Sequence, residues 1–213
     1  GFSYGVLKWA MSIDGRLGLK NGESKWISSQ KSRSFVHKLR ADFDAIIIGG
    51  NTLRKDNPLL TTRGFKQIEP LRVVFTRTLD LPKKAKLWET DVSKTLVVYD
   101  SSTANEDNLK RIPRNVSIEK VSSDNPKLLS KILAEKGCNK VLWECGPELA
   151  TSAVKAKCIQ EYITFISPKI LGGENAMNPF SDFEFKSMEE VIKLNLSEIK
   201  SYSSDIYLRG FMK

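Results

Sequence analysis

A chain of 213 residues, 40% of them hydrophobic, has enough apolar material for one large domain or two small ones. No run of about 18 apolar residues exists, which excludes a membrane-spanning helix. The net charge of +9 is spread along the chain, without long basic runs or a basic stripe interleaved with aromatics. It therefore argues for a phosphate-bearing ligand or a solvated basic surface, and against nucleic acid or a membrane as partner.

The opening "GFSYGVLKWA" is too short and too polar for a signal peptide. It lacks an initiator Met, which leaves a tag-derived glycine, a processed start and an excised domain all open. Tyr4–Met11 reads as a strand, and Asp14-Gly15 as a turn into the polar stretch around "GESKW". Ser28-Ser29-Gln30 supplies a helix N-cap, and Gln30–Leu39 follows with Phe35, Val36 and Leu39 on one side. "DAIIIGG" (Asp44–Gly50) is an apolar run closed by two glycines, as expected of a strand buried on both faces. The residues after it read as a short polar loop.

Leu71–Thr76, Thr95–Asp100 and Lys140–Cys145 repeat the apolar pattern, and Val116–Val121 is a weaker strand. Glu106–Arg111, Pro126–Lys136 and Pro147–Lys157 read as helical. Apolar strands alternating with helices predict an α/β fold with a mainly parallel sheet covered on both faces. The last three runs, "EYITFISPKIL", "VIKLNLSEIKSYS" and "SDIYLRGFM", lack strong helices between them and predict antiparallel strands that finish the sheet. No composition break divides residues 1–213, so a single domain is expected.

Cys138, Cys145 and Cys158 form no CxxC pair, and with one histidine in the chain they supply no zinc ligand set. They read as structural thiols in a reducing compartment, the cytoplasm, with no metal.

Three local patterns carry chemistry. In "LWECGPELATSAV" a strand ends at Glu144, Gly146 allows close approach, and Pro147 opens a helix whose free amides attract an anion such as a pyrophosphate. A plain tight turn is the alternative. In "IIIGGNTLRKDNPLLTTR", Gly49 and Gly50 end a buried strand where open α/β sheets bind ligands, followed by Thr52, Asp56 and Arg63, a residue that can grip phosphate through its fork. The alternative is a solvated loop. Arg77, between Thr76 and Thr78, suits a 2′-phosphate, although an exposed strand-end arginine is the commoner occurrence. His37, in the first helix, reads as a surface residue rather than a catalytic one. With so few nucleophiles and no metal cluster, a reaction here has to rely on carboxylate, lysine and a bound cofactor.

Taken together, "LKWAMSIDGRLG", "GESKWISS", "LRADFDAIIIGGNTLRKDNPLLTTR", "LWECGPELATSAV" and "FISPKILGG" resemble the reductase domain of the bacterial bifunctional deaminase/reductase of riboflavin biosynthesis. The match in order and spacing runs from about Val6 to Gly173. The resemblance implies a dihydrofolate-reductase-like fold and NADPH-dependent reduction of 5-amino-6-(5-phosphoribosylamino)uracil, a phosphorylated pyrimidine, to its ribitylamino product. It places Lys8 near the reacting end and Ala10 and Trp26 on the cofactor. It places Ser24, Arg40, Leu60, Arg63 and Glu144 on the substrate. Thr52 and Asp56 match cofactor contacts, Asp56 lying with Lys8 among the candidate catalytic groups. Gly49, Gly50 and the run Gly146, Pro147, Glu148, Leu149, Ala150, Thr151 and Ser152 match the cofactor's pyrophosphate region. Arg77 stands where the family often has a small hydroxyl residue.

The deaminase signatures H-x-E and P-C-x-x-C do not occur, so the expectation is a reductase alone. Family members associate, often as dimers through the sheet edge and C-terminal strands, and a homodimer is expected. Competing readings are a same-fold reductase acting on the undeaminated 2,5-diamino pyrimidinone or on a pterin, and a catalytically silent module binding nucleotide or RNA.

Overall fold

In the computed structural model, which describes residues 1–213, the apolar runs become neighbours in one nine-stranded sheet. The strands are β1 (Tyr4–Ser12), β2 (Ala45–Gly49), β3 (Leu71–Thr76), β4 (Thr95–Asp100), β5 (Ser117–Val121), β6 (Lys140–Trp143), β7 (Glu161–Ser167), β8 (Leu194–Tyr202) and β9 (Asp205–Met212). Their order is β5-β4-β3-β2-β6-β1-β7-β9-β8. β1 to β7 are parallel; β9 is antiparallel to β7, and β8 to β9. The expectation for the C-terminal strands is corrected in one respect: β7, carrying "EYITFIS", continues the parallel part beside β1, and only β8 and β9 form the antiparallel finish.

Burial on both faces explains the unbroken apolar runs. On β2, Ile46 and Ile48 face one core and Ala45 and Ile47 the other. Helix α1 (Gln30–Arg40) covers the first face with Val36 and Leu39, joined by Leu53 of α2 (Gly50–Asp56). Helices α3 (Pro126–Glu135) and α4 (Pro147–Lys155) cover the second through Leu129, Leu133, Ala153 and Val154. Each such full burial of a large aliphatic side chain is worth about 1.5–3 kcal/mol. α1 begins where the Ser29 side chain accepts the Ser32 amide, as the N-cap reading predicts.

Two local expectations are corrected. The supposed loop after Gly50 is the helix α2, which a single buried apolar residue, Leu53, anchors, so no amphipathic period announces it. Glu106–Arg111 is helical as expected, but as a 3₁₀ helix, from which only the half-buried Leu109 packs against the core. No helix is long and apolar enough to cross a membrane.

Candidate active site

The carboxyl ends of β1, β2, β3 and β6 open into one cleft, the edge at which open α/β sheets bind ligands. It has two lobes of about 640 and 760 Å³, which share Asn51, Thr52, Lys55, Gly146, Pro147 and Met177. Lys8, Ala10, Ser24, Trp26, Arg40, Asp56, Leu60, Arg63 and Glu144 all line the first lobe. Gly49, Gly50, Arg77, Glu148, Leu149, Thr151 and Ser152 line the second. Ala150 does not reach the cleft. It is 2% exposed in the core under α4, and its amide donates to the Gly146 carbonyl at 3.0 Å, because the helix's fourth residue turns towards the sheet.

A buried charge cluster forms the floor of the first lobe. Arg40 Nε donates to Glu144 Oε1 at 2.7 Å and Nη2 to Oε2 at 3.1 Å, a bidentate pair across 104 residues of sequence. Lys8 Nζ lies 3.7 Å from Glu144 Oε2, and the Lys8 and Glu144 side chains are only 14% and 11% exposed. Burial alone would push the Glu144 carboxyl up, but the Arg40 guanidinium and Lys8 ammonium together hold it down at about 2. Burial lowers the Lys8 ammonium pKa against the opposing pull of Glu144, which makes this lysine readier to release a proton. Arg40 also donates through Nη1 to the Thr61 carbonyl at 3.1 Å. Its guanidinium therefore ties Glu144 to the 57–63 loop, and Arg63 of that loop lines the same lobe.

That loop is held in an unusual shape. Leu60 and Arg63 both adopt left-handed backbone, φ 56° and 54°, a conformation uncommon for side chains with a Cβ. Glu69 fixes it by accepting the Thr62 amide and hydroxyl, both at 2.7 Å. Asp56 faces the cleft at the end of α2, where loss of water pushes its carboxyl above the usual range despite Lys25 and Lys55.

Residues 13–28 carry no regular element and fold over the first lobe. Asp14 fastens them by accepting the Gly172 amide at 2.7 Å and the Leu171 amide at 3.2 Å. Lys169 Nζ donates to the Trp26 carbonyl at 2.6 Å, and the Arg33 guanidinium lies 4.3 Å over the Trp26 ring. The "DGRLG…GESKW" stretch thus turns at Asp14-Gly15 and returns as a cover.

At the second lobe, Gly146 caps α4 without a side chain, so the amides of Glu148 and Leu149 have no capping partner. A Cβ on Gly146 would point at the Thr52 hydroxyl, 3.9 Å away, across the gap between α2 and α4. Arg77 is 60% exposed, 3.3 Å from Glu148 and 4.0 Å from Asp124.

Two expectations about side chains change. Cys138 and Cys158 are buried, but Cys145 lines the first lobe. Burial raises its thiol to about 12, which leaves it unreactive. His37 is not a surface residue. It is half-buried in the first lobe, its Nδ1 3.0 Å from the Thr61 carbonyl. The signal was present in the sequence: Gln30, Arg33, Ser34, His37 and Arg40 recur at helical spacing and form the polar stripe with which α1 faces the cleft.

The family model described as "RibD C-terminal domain" matches residues 3–208. The chain belongs to the RibD C-terminal domain family. It is 37% identical over 210 residues to the riboflavin biosynthesis protein RibD of Synechocystis sp., covering 98% of this chain and 57% of that relative. It is 35% identical to the chloroplastic riboflavin biosynthesis protein PYRR of Arabidopsis thaliana, covering 99% of this chain and 35% of the relative. Among solved structures, Acinetobacter baumannii RibD superposes with a TM-score of 0.83 at 28% identity, covering 100% of this chain and 58% of that one. The chain thus spans between a third and three fifths of the length of these relatives. The shared fold includes the mostly parallel sheet and its antiparallel C-terminal strands.

Proposed function

We propose that this chain is the NADPH-dependent reductase that converts 5-amino-6-(5-phosphoribosylamino)uracil to its ribitylamino product in riboflavin biosynthesis. The observation that carries the reading is the Lys8–Glu144–Arg40 cluster on the floor of one lobe, next to a second lobe fitted for a dinucleotide. Membership of the family and the names of the relatives support it.

The second lobe suits the cofactor. The uncapped start of α4 offers amides to a pyrophosphate, and Gly49 and Gly146 keep both rims free of side chains. Arg77 is the group for the 2′-phosphate, since its exposed pairs with Glu148 and Asp124 are weak and exchangeable. When bound, NADPH supplies the hydride that reaches C1′ of the ribose.

The chain's own residues do the rest. Arg63 holds the phosphate end, while Ser24 and Leu60 line the pyrimidine's side of the lobe. Glu144 keeps Lys8 charged and in place. Lys8 Nζ, with its lowered pKa, gives a proton to the ribose ring oxygen as the C1′–O4′ bond opens, the amine nitrogen's lone pair forming the iminium that accepts the hydride. Asp56 acts at the nicotinamide end. The cover of residues 13–28 excludes water from the reacting carbon. Residues 1–213 act as one reductase domain, and the protein works as a homodimer through its C-terminal sheet edge.

The test is NADPH oxidation on freshly generated 5-amino-6-(5-phosphoribosylamino)uracil, with the undeaminated diamino analogue and dihydrofolate in parallel. Turnover of the first compound alone is expected. Turnover of the diamino analogue alone would move the enzyme one step earlier, and no turnover of any of them would refute the reductase reading.

A further inference from the structure

We propose that His37 is a ligand for the phosphate end of the substrate, acting beside Arg63 and charged only while the phosphate is bound. The inference rests on the reading of this lobe as a site for a phosphorylated sugar. It starts from a tautomer. The Thr61 carbonyl accepts from Arg40 Nη1 at 3.1 Å and faces His37 Nδ1 at 3.0 Å. A carbonyl oxygen only accepts, so Nδ1 carries a proton. The 3.3 Å approach of Arg40 Nη1 to Nδ1 then brings together two donors that share one oxygen.

Nε2, the opposite ring nitrogen, has no hydrogen-bond partner in the protein and is not sealed from solvent. Because His37 lines the first lobe, this is the nitrogen offered to a ligand. The charged groups that bear on the ring are Arg40 from its own helix, Arg63 from the 57–63 loop and Glu144 from the end of β6. Arg33 of the same helix and Lys8 of β1 line the same lobe. Burial, Arg40 and Arg63 hold the imidazole below its usual pKa and so keep it neutral. A neutral Nε2 repels an anion, whereas a protonated one donates to it.

Arg63 from the 57–63 loop and His37 from α1 add donors for a phosphate on this side of the lobe to the N–H groups of Arg40 that Glu144 and Thr61 do not use. A phosphate dianion offsets the two arginines' effect on the ring. At a pH above about 6, where a phosphate monoester is dianionic, binding takes one proton from water onto Nε2. No bond between heavier atoms forms or breaks.

His37 is the only histidine of the chain, so its ring ¹⁵N resonances are unambiguous. The experiment is a pH titration of the ¹⁵N-labelled protein by NMR, alone, with ribose 5-phosphate and with ribose. The free protein is expected to show the neutral Nδ1–H tautomer with a pKa below about 6.5. Ribose 5-phosphate should raise that pKa by about one unit or more and protonate Nε2, and ribose should do neither. An imidazole unchanged at millimolar ribose 5-phosphate overturns the assignment, wherever the sugar phosphate binds. In turnover, His37→Gln should raise KM for the phosphorylated pyrimidine roughly 10- to 100-fold, the range for a hydrogen bond to a charged group, with NADPH affinity unchanged. An unchanged KM also overturns it. If the wild-type protein reduces none of the pyrimidines, the reductase reading fails, and the titration still decides the role of His37.

Discussion

Glu144 accepts both nitrogens of the Arg40 fork and neutralises Lys8, so removing its charge strands two buried cations. Glu144→Gln should cost about 3–5 kcal/mol, the usual penalty for breaking a buried pair from one side. Thermal melting at neutral pH should register this as a drop on the order of 10 °C. The pH dependence follows from its carboxyl, held at about 2 when folded. The unfolded value is about 4.3, so the folded value is depressed. The contribution is therefore complete above the unfolded value and is lost as pH falls towards 2. The melting difference between wild type and Glu144→Gln should narrow from about pH 5 downwards, and a constant difference across that range would refute the assignment. Glu144 and Arg40 were each readable as site residues from their motifs. That they bind each other was not, because neither motif encodes the other's position.

At the level of elements, the position of α1 matters most, because it carries Arg33, His37 and Arg40 into the cleft. Its N-terminus is fastened from the far end of the chain. Asp205, 1% exposed at the start of β9, accepts the Ser29 amide at 2.7 Å and the Ser32 hydroxyl at 2.6 Å. Asp205→Ala should leave these donors unsatisfied at a cost of about 1–3 kcal/mol. Hydrogen exchange should accelerate in the first turn of α1 and not in α3; equal protection in both would show that Ser29 caps the helix alone. The Ser29 cap was legible because capping is local, and its second support was hidden 176 residues away. Helix α2 was illegible for the opposite reason: seven residues with one buried side chain leave no period to detect, and packing against β2 and β3 forms it.

For the whole molecule, the sheet has two edges, β5 and β8. β8 is the more exposed, with Leu196 at 52% and Ile199 at 65%, and its outer backbone groups have no partner strand. An unprotected edge of this kind invites pairing with another chain, which supports the proposed homodimer. Light scattering at micromolar concentration should give about twice the chain mass of 24.0 kDa. A strict monomer would refute that proposal. The alternation of strands and helices predicted a parallel sheet, but not its order. β6 lies between β2 and β1, and this insertion brings Glu144 beside Lys8 and Arg40.

The sequence by itself determined which segments become strands, where α1, α3 and α4 begin, and which motifs line a site. Those features depend on burial periodicity, capping and turn chemistry within a few residues of chain. Only the tertiary structure decided the strand order, the pairing of Arg40 with Glu144 and the burial of Ala150 away from the cleft. Those depend on groups far apart in sequence meeting in a water-poor space. There, pairing and desolvation set each side chain's charge and its free hydrogen-bonding atoms.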